Sequence, residues 1–209
     1  MPRSVVSGLA AIALAFLVGA VLIALAGRDP VAAYVTLFQA SLGSANGLAE
    51  TALRTVPLAL CGIGIALAFR AGVFNTGAEG QLFIGGTAAA WVGLQLAGQP
   101  QVLVLSAMVI AAAIAGAAWS GIAAVLKLKF RADELITTIM LNYIAIDLVG
   151  YLLHGPLQDP TSPLAQTARL GAEARLPVLL EGSRLNAGII IAVVVALVAQ
   201  LYLWRAVDG

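Results

Sequence analysis

Two stretches of this chain, residues 5–26 and 102–126, each run for more than 20 residues without one charged side chain. A run of ~18 or more apolar residues is long enough to cross the hydrocarbon of a bilayer as a helix. Neither run alternates apolar with polar positions as a barrel strand would, and both are rich in Ala, Leu, Val and Gly. The fold class read from this is all-α, a polytopic transmembrane helical bundle. Composition agrees: 61% of the 209 residues are hydrophobic and 10% charged, against roughly 25% charged in soluble domains.

The same pattern gives six spans, at residues 5–26, 51–69, 78–96, 102–126, 135–153 and 187–204. The first ends in Ala24-Leu25-Ala26, which looks like a signal-peptide cleavage site. Its apolar run is longer than the ~7 to 15 residues of a signal core, so it is read as a retained span. An even number of spans puts both termini on one side. Lys127, Lys129 and Arg131 crowd the short loop after the fourth span, which the positive-inside rule assigns to the cytoplasm. Both termini are then cytoplasmic, and residues 154–186 form an external loop. That loop carries Pro156, Pro160, Pro163 and Pro177 among charges of both signs, which suits an ordered cap, a docking surface or a plain solvated loop.

Two local patterns refine the bundle. Residues 32–42, "AAYVTLFQASL", have an aromatic and leucine face suited to a membrane interface. Ala112, Gly116, Ser120 and Ala124 recur every four residues, a small-residue stripe that lets another helix approach closely.

Residues 74–81, "FNTGAEGQ", place an acid and two amides between apolar runs. Unsatisfied backbone is costly in hydrocarbon, so a helix breaks at membrane depth only where protein or a wet cavity surrounds the break. Thr76, Gly77 and Gly80 make such a discontinuity plausible. Thr76 followed by Glu79 matches the capping box, with Asn75 as a competing cap. On one reading the motif only starts a half-helix; on the other, Asn75, Glu79 and Gln81 line a solute path, as polar groups at broken helices do in transporters. Both readings stand together.

The fifth span carries further polar groups. Thr138 and Asn142, four apart, are either an interhelical hydrogen-bonding pair or part of a path. Asp147 shares a face with Tyr143 and Tyr151, and fits either an external vestibule or a satisfied interfacial acid. Asp133 and Glu134 suit the positive end of that helix.

Residues 66–86, "ALAFRAGVFNTGAEGQLFIGG", and 127–145, "KLKFRADELITTIMLNYIA", resemble the two most recognisable stretches of the permease subunits of ABC importers for nucleosides and simple sugars. Asn75, Gly77, Ala78, Glu79, Gly80 and Gln81 match the first, and Glu134, Thr138, Met140, Leu141, Asn142 and Tyr143 the second. The nucleoside branch is the nearer one, although Thr76 stands where isoleucine is usual and Asp133 where asparagine is. The resemblance implies one transmembrane permease domain over residues 1–209 that moves a nucleoside, or alternatively a simple sugar such as a pentose. It also implies a second permease subunit, ABC ATPase subunits, an external solute-binding protein and surrounding lipid as partners. The last residues, through Gly209, look like the entrance to the family's cytoplasmic coupling segment, so the domain is expected to be incomplete at its C-terminus.

Other classes have less in the sequence. A net charge of +1 without a basic cluster gives no footprint for nucleic acid. One histidine and one cysteine, Cys61, build neither a disulfide nor a usual zinc site, so no metal or other cofactor is expected. The chain has no phosphate-binding loop of the Gly-x-x-x-x-Gly-Lys-Ser/Thr type, which places ATP hydrolysis on a partner chain. An intramembrane serine protease using Ser120 and His154, or an inert membrane scaffold, are the alternatives of a different class.

Overall fold

A computed structural model describes residues 3–205, with side chains over residues 6–202. Its helices are α1 (Arg3–Leu25), α2 (Pro30–Leu42), α3 (Ala45–Arg70), α4 (Ala78–Gln95), α5 (Gln101–Phe130), α6 (Glu134–His154) and α7 (Gly188–Arg205). No strand is present among the described residues, and Val178 and Asn186 form an isolated bridge. Among the described residues, four helices are long and apolar enough to cross a membrane: Val6–Leu25, Ala45–Arg70, Gln101–Phe130 and Glu134–His154. Shorter apolar helices run over Pro30–Leu42 and Gly188–Tyr202. This is a helical, multi-pass membrane protein. Residues 206–209, expected to open a coupling segment, lie outside the described residues.

The chain divides into two compact units, one of residues 1–54 with 180–185 and one of residues 55–179 with 186–209. In the first, α1 and α2 form a hairpin. Asp29 caps α2 by accepting a hydrogen bond from the Val31 N–H at 2.8 Å, with Pro30 at the first helical position. The Tyr34 hydroxyl donates to the Phe16 carbonyl at 2.7 Å, and the rings of Tyr34 and Phe38 pack on Phe16. The aromatic face that the sequence assigns to a membrane interface is thus used against α1.

In the second unit α4 packs chiefly on α5 and next on α6. The three buried residues of α4 are all glycines, Gly80, Gly85 and Gly93. A Cβ at Gly85 would lie 3.0 Å from the Ala112 carbonyl oxygen, and one at Gly116 would lie 3.4 Å from that of Gln81. The small-residue stripe is therefore the seat of α4, in antiparallel register. The Trp119 indole N–H donates to the Leu141 carbonyl at 3.3 Å and ties α5 to α6.

The turn from α5 to α6 is closed by Arg131 in the left-handed region, φ 54°, and the Asp133 carboxylate caps α6 by accepting from the Ile136 N–H. At the opposite end, a single 3₁₀ turn (Ala172–Ala174) is moored to the α4–α5 connection. There the Glu173 carboxylate accepts from the Gly98 N–H at 2.9 Å, a bond that holds its carboxyl below the ordinary range.

Candidate functional site

Residues 71–77 join α3 to α4 without helical structure and run inward along α6. The Phe74 N–H donates to the Glu134 carboxylate at 2.9 Å, and the Thr76 and Thr138 hydroxyls are 2.7 Å apart. The Asn142 side chain then bonds twice: its Nδ2 donates to the Thr76 carbonyl at 3.0 Å, and its Oδ1 accepts from the Gly80 N–H at 2.9 Å. Asn142 lies eight residues beyond Glu134, hence ~12 Å further along α6. So α4 begins well inside the length of its neighbour, and its 18 residues reach only ~27 Å.

Most polar groups in this seam have protein partners, the Asn75 NH₂ and the Gln81 carbonyl oxygen excepted. Thr138 donates its one hydroxyl proton to the Glu134 carbonyl at 2.8 Å, which leaves Thr76 as the donor between the two threonines. Asn75 Oδ1 accepts both the Gly77 N–H at 2.9 Å and the Gln81 Nε2 at 3.2 Å. Gly80 is required by close approach: a Cβ there would lie 2.9 Å from Asn142 Oδ1, 3.1 Å from the Asn142 Cα and 3.2 Å from the Ala145 Cβ.

The non-helical residues are 71–77, Gly80 lies inside the first turn of α4, and the capping box is absent. The α4 N-cap is Gly77 with no side-chain cap bond, Thr76 is committed to Thr138, and Glu79 is exposed. A tertiary hydroxyl partner outcompetes the local backbone donor. Thr138 and Asn142 form the interhelical bonds that the sequence allowed. Asp147, with Tyr143 and Tyr151, occupies the exposed face of α6, turned away from the buried Thr138, Leu141, Ala145 and Val149. Asn75, Gln81, Thr138 and Asn142 are thus brought together, whereas Glu79 and Asp147 stand outside the seam.

From the sequence, Glu134 has a helix-terminus role and a place in the second motif, and Lys127 a topology role. In the structure the Glu134 carboxylate pairs with the Lys127 ammonium while holding Phe74, so the two join α5, α6 and the broken segment. The signal is their position on either side of the reversal at residues 131–133. Ser120 and His154 are not a catalytic pair: Ser120 lines a cavity beside Glu134 and Thr138, and His154 lies 20 residues, ~30 Å, from Glu134 at the other end of α6.

Two cavities meet at Asn75. One, of about 560 Å³, opens between α3, α4 and α5; the other, of about 520 Å³, extends from Asn75 toward Lys127 and Glu134.

Residues 47–208 match the family described as the permease component of the branched-chain amino acid transport system. The chain is 36% identical over 204 residues to the guanosine ABC transporter permease protein NupP of Bacillus subtilis, covering 96% of this chain and 58% of that protein. It is 31% identical over 215 residues to the nucleoside ABC transporter permease protein NupB of Lactococcus lactis subsp. cremoris, covering 99% and 59%. To the glucose ABC transporter permease protein TsgB13 of Haloferax volcanii it is 43% identical over 165 residues, covering 79% and 43%. The chain thus spans about half the length of these curated relatives. No solved structure matches it.

Proposed function

The chain belongs to the family of permease components described for branched-chain amino acid transport, and from that membership we propose that it is part of the transmembrane subunit of an ABC importer for nucleosides. In this reading a second permease subunit completes the path, separate ATPase subunits drive the cycle, and an external binding protein delivers the solute. No covalent chemistry is done on the substrate. The observation that carries the reading is the inward-running segment 71–80, whose polar groups are held at depth by Thr138 and Asn142. Relatives named for guanosine and nucleosides match almost the whole chain, which supports the nucleoside as cargo. Asn75, Gln81, Thr138 and Asn142 supply a neutral polar lining, and Glu79 and Asp147 face wet parts of the path.

A sugar is the second reading, favoured by the 43% identity to the glucose permease. ATP-dependent uptake by vesicles holding the complete importer separates the two. Guanosine should accumulate, and excess glucose should not compete. Accumulation of glucose without guanosine would replace the first reading by the second.

The basic residues Lys127, Lys129 and Arg131 at the α5–α6 reversal support the orientation we propose, an inner-membrane protein with both termini cytoplasmic and residues 154–186 external. A cysteine introduced at Ala165, in a Cys61→Ala background, should react with an impermeant reagent on intact cells. Reaction only after the cells are opened would invert the topology.

A further inference from the structure

We propose that the cavity between α3, α4 and α5 seats the base of the nucleoside, and that the side-chain amides of Asn75 and Gln81 read its hydrogen-bonding edge. This rests on the nucleoside reading above and assigns the recognition to particular atoms.

Three observations carry it. The first is size and wall chemistry: the cavity measures about 560 Å³, within the ~300–1,000 Å³ typical of small-molecule sites. Its walls are apolar side chains and small residues, among them Gly64, Gly86, Ala112 and Ala113, and no charged residue lines it. Such a slot accepts the flat, neutral faces of a heterocycle. A sugar would bury a hydroxyl at nearly every carbon, more than the Asn75 and Gln81 amides can partner, at a cost for each. A phosphorylated nucleotide would bring an uncompensated charge.

The second is the hydrogen-bonding capacity left over. Asn75 Oδ1 is taken up by the Gly77 N–H and the Gln81 Nε2, which turns the Asn75 NH₂ into a free donor. Gln81 spends one N–H on that bond and keeps its carbonyl oxygen as a free acceptor. The two amides therefore offer a donor beside an acceptor, the complement of a purine edge carrying a carbonyl next to a ring N–H. Because each amide orients the other, the pair is preorganised before a ligand arrives.

The third is the glycine wall. At Gly64 and at Gly86 an added Cβ would meet no atom within 4 Å. Packing between helices therefore does not require glycine at either position. What the missing side chains leave open is the cavity itself.

The test uses the complete importer in membrane vesicles, with alkylation of Cys61, a residue of the same cavity wall, read on its own peptide by mass spectrometry. Guanosine at about ten times its Kd should slow that alkylation about tenfold, since only the unoccupied fraction reacts. Ribose and guanosine monophosphate should leave it unchanged. Gln81→Met should keep the rate measured without ligand and abolish the protection. Gly86→Leu should eliminate guanosine uptake while the permease keeps its wild-type Tm and its assembly with the ATPase. Guanosine uptake with Cys61 unprotected, or with Gly86→Leu fully active, would overturn the base site and leave the importer reading intact. Protection by ribose would reassign the cavity to sugar. Absence of nucleoside uptake in the unaltered importer would remove the functional reading itself.

Discussion

The two faces of α6 carry polar residues of different kinds. On the buried face Thr138 and Asn142 are neutral, and each is bonded to the segment that breaks before α4. On the exposed face Asp147 is ionisable and, among the described residues, makes no hydrogen bond or ion pair, flanked by the exposed Tyr143 and Tyr151. Glu79 repeats the second pattern on α4. The difference follows from desolvation. A hydroxyl or amide at membrane depth is stabilised by one or two protein partners, whereas a lone carboxylate needs water or a counter-charge. Neutral groups can therefore hold the inner part of the break, Glu134 holds its outer end with Lys127 as counter-charge, and the unpaired acids are left for surfaces that water reaches.

The comparison breaks most visibly if the seam tolerates bulk. Gly80→Leu should have the largest effect. Its Cβ alone would press on Asn142 and on the Ala145 Cβ, and overpacking of a close seam costs about 1–3 kcal/mol or more. Loss of folded permease on size-exclusion chromatography is the expected outcome, and a monodisperse, stable variant would contradict it. Next comes Asn142→Leu, which strands the Gly80 N–H and the Thr76 carbonyl. Each stranded group costs about 1–3 kcal/mol. Thermal unfolding in detergent should show a large fall in Tm, and a fall no greater than that of an exposed substitution such as Ile144→Ala would mean that the seam is not what holds the break.

Much of this was legible in the sequence because its signals are local and long. Charge-free runs announce α1 and α5, and the glycines with Asn75 announce the break. The four-residue stripe on α5 announces a close helix neighbour, and the structure shows that neighbour to be α4. What failed was a local inference with a tertiary competitor. Thr76 and Glu79 have the spacing of a capping box, yet Thr138 on another helix takes the Thr76 hydroxyl, and nothing within residues 74–81 shows that. Glu134 was underestimated for a similar reason: its contact with Lys127 depends on the left-handed turn at Arg131, and its contact with Phe74 spans 60 residues. The aromatic face of α2 reads equally well toward lipid or toward a neighbouring helix, and α1 is the neighbour it finds.

A smaller effect sharpens the comparison at the Thr76–Thr138 pair. Thr76→Val, Thr138→Val and the double variant form a cycle whose coupling energy, from unfolding in detergent, should be about 0.6 kcal/mol, the average for hydrogen bonds between membrane helices. Thr138→Val should cost more alone than Thr76→Val, because Thr138 also donates to the Glu134 carbonyl. Zero coupling would reduce the pair to mere proximity.

The smallest effect on stability belongs to the acids, and it decides what they are for. If Glu79 closed a capping box, glutamine would serve nearly as well and Glu79→Gln would be neutral in every assay. The structure removes that role, since Glu79 is exposed and the α4 cap has no side-chain bond. Glu79→Gln and Asp147→Asn should each leave the unfolding free energy within about 0.5 kcal/mol, as substitutions away from packed features do. Their charge should instead appear in transport: guanosine uptake by the complete importer should fall in both variants at unchanged expression and Tm. Should Asp147→Asn destabilise the protein as much as Asn142→Leu, the acid has a structural partner and the contrast between the two faces of α6 is lost. With stability and uptake both unaltered, the acids would be ordinary exposed charges, and the solute path would be confined to the neutral groups beside Asn75.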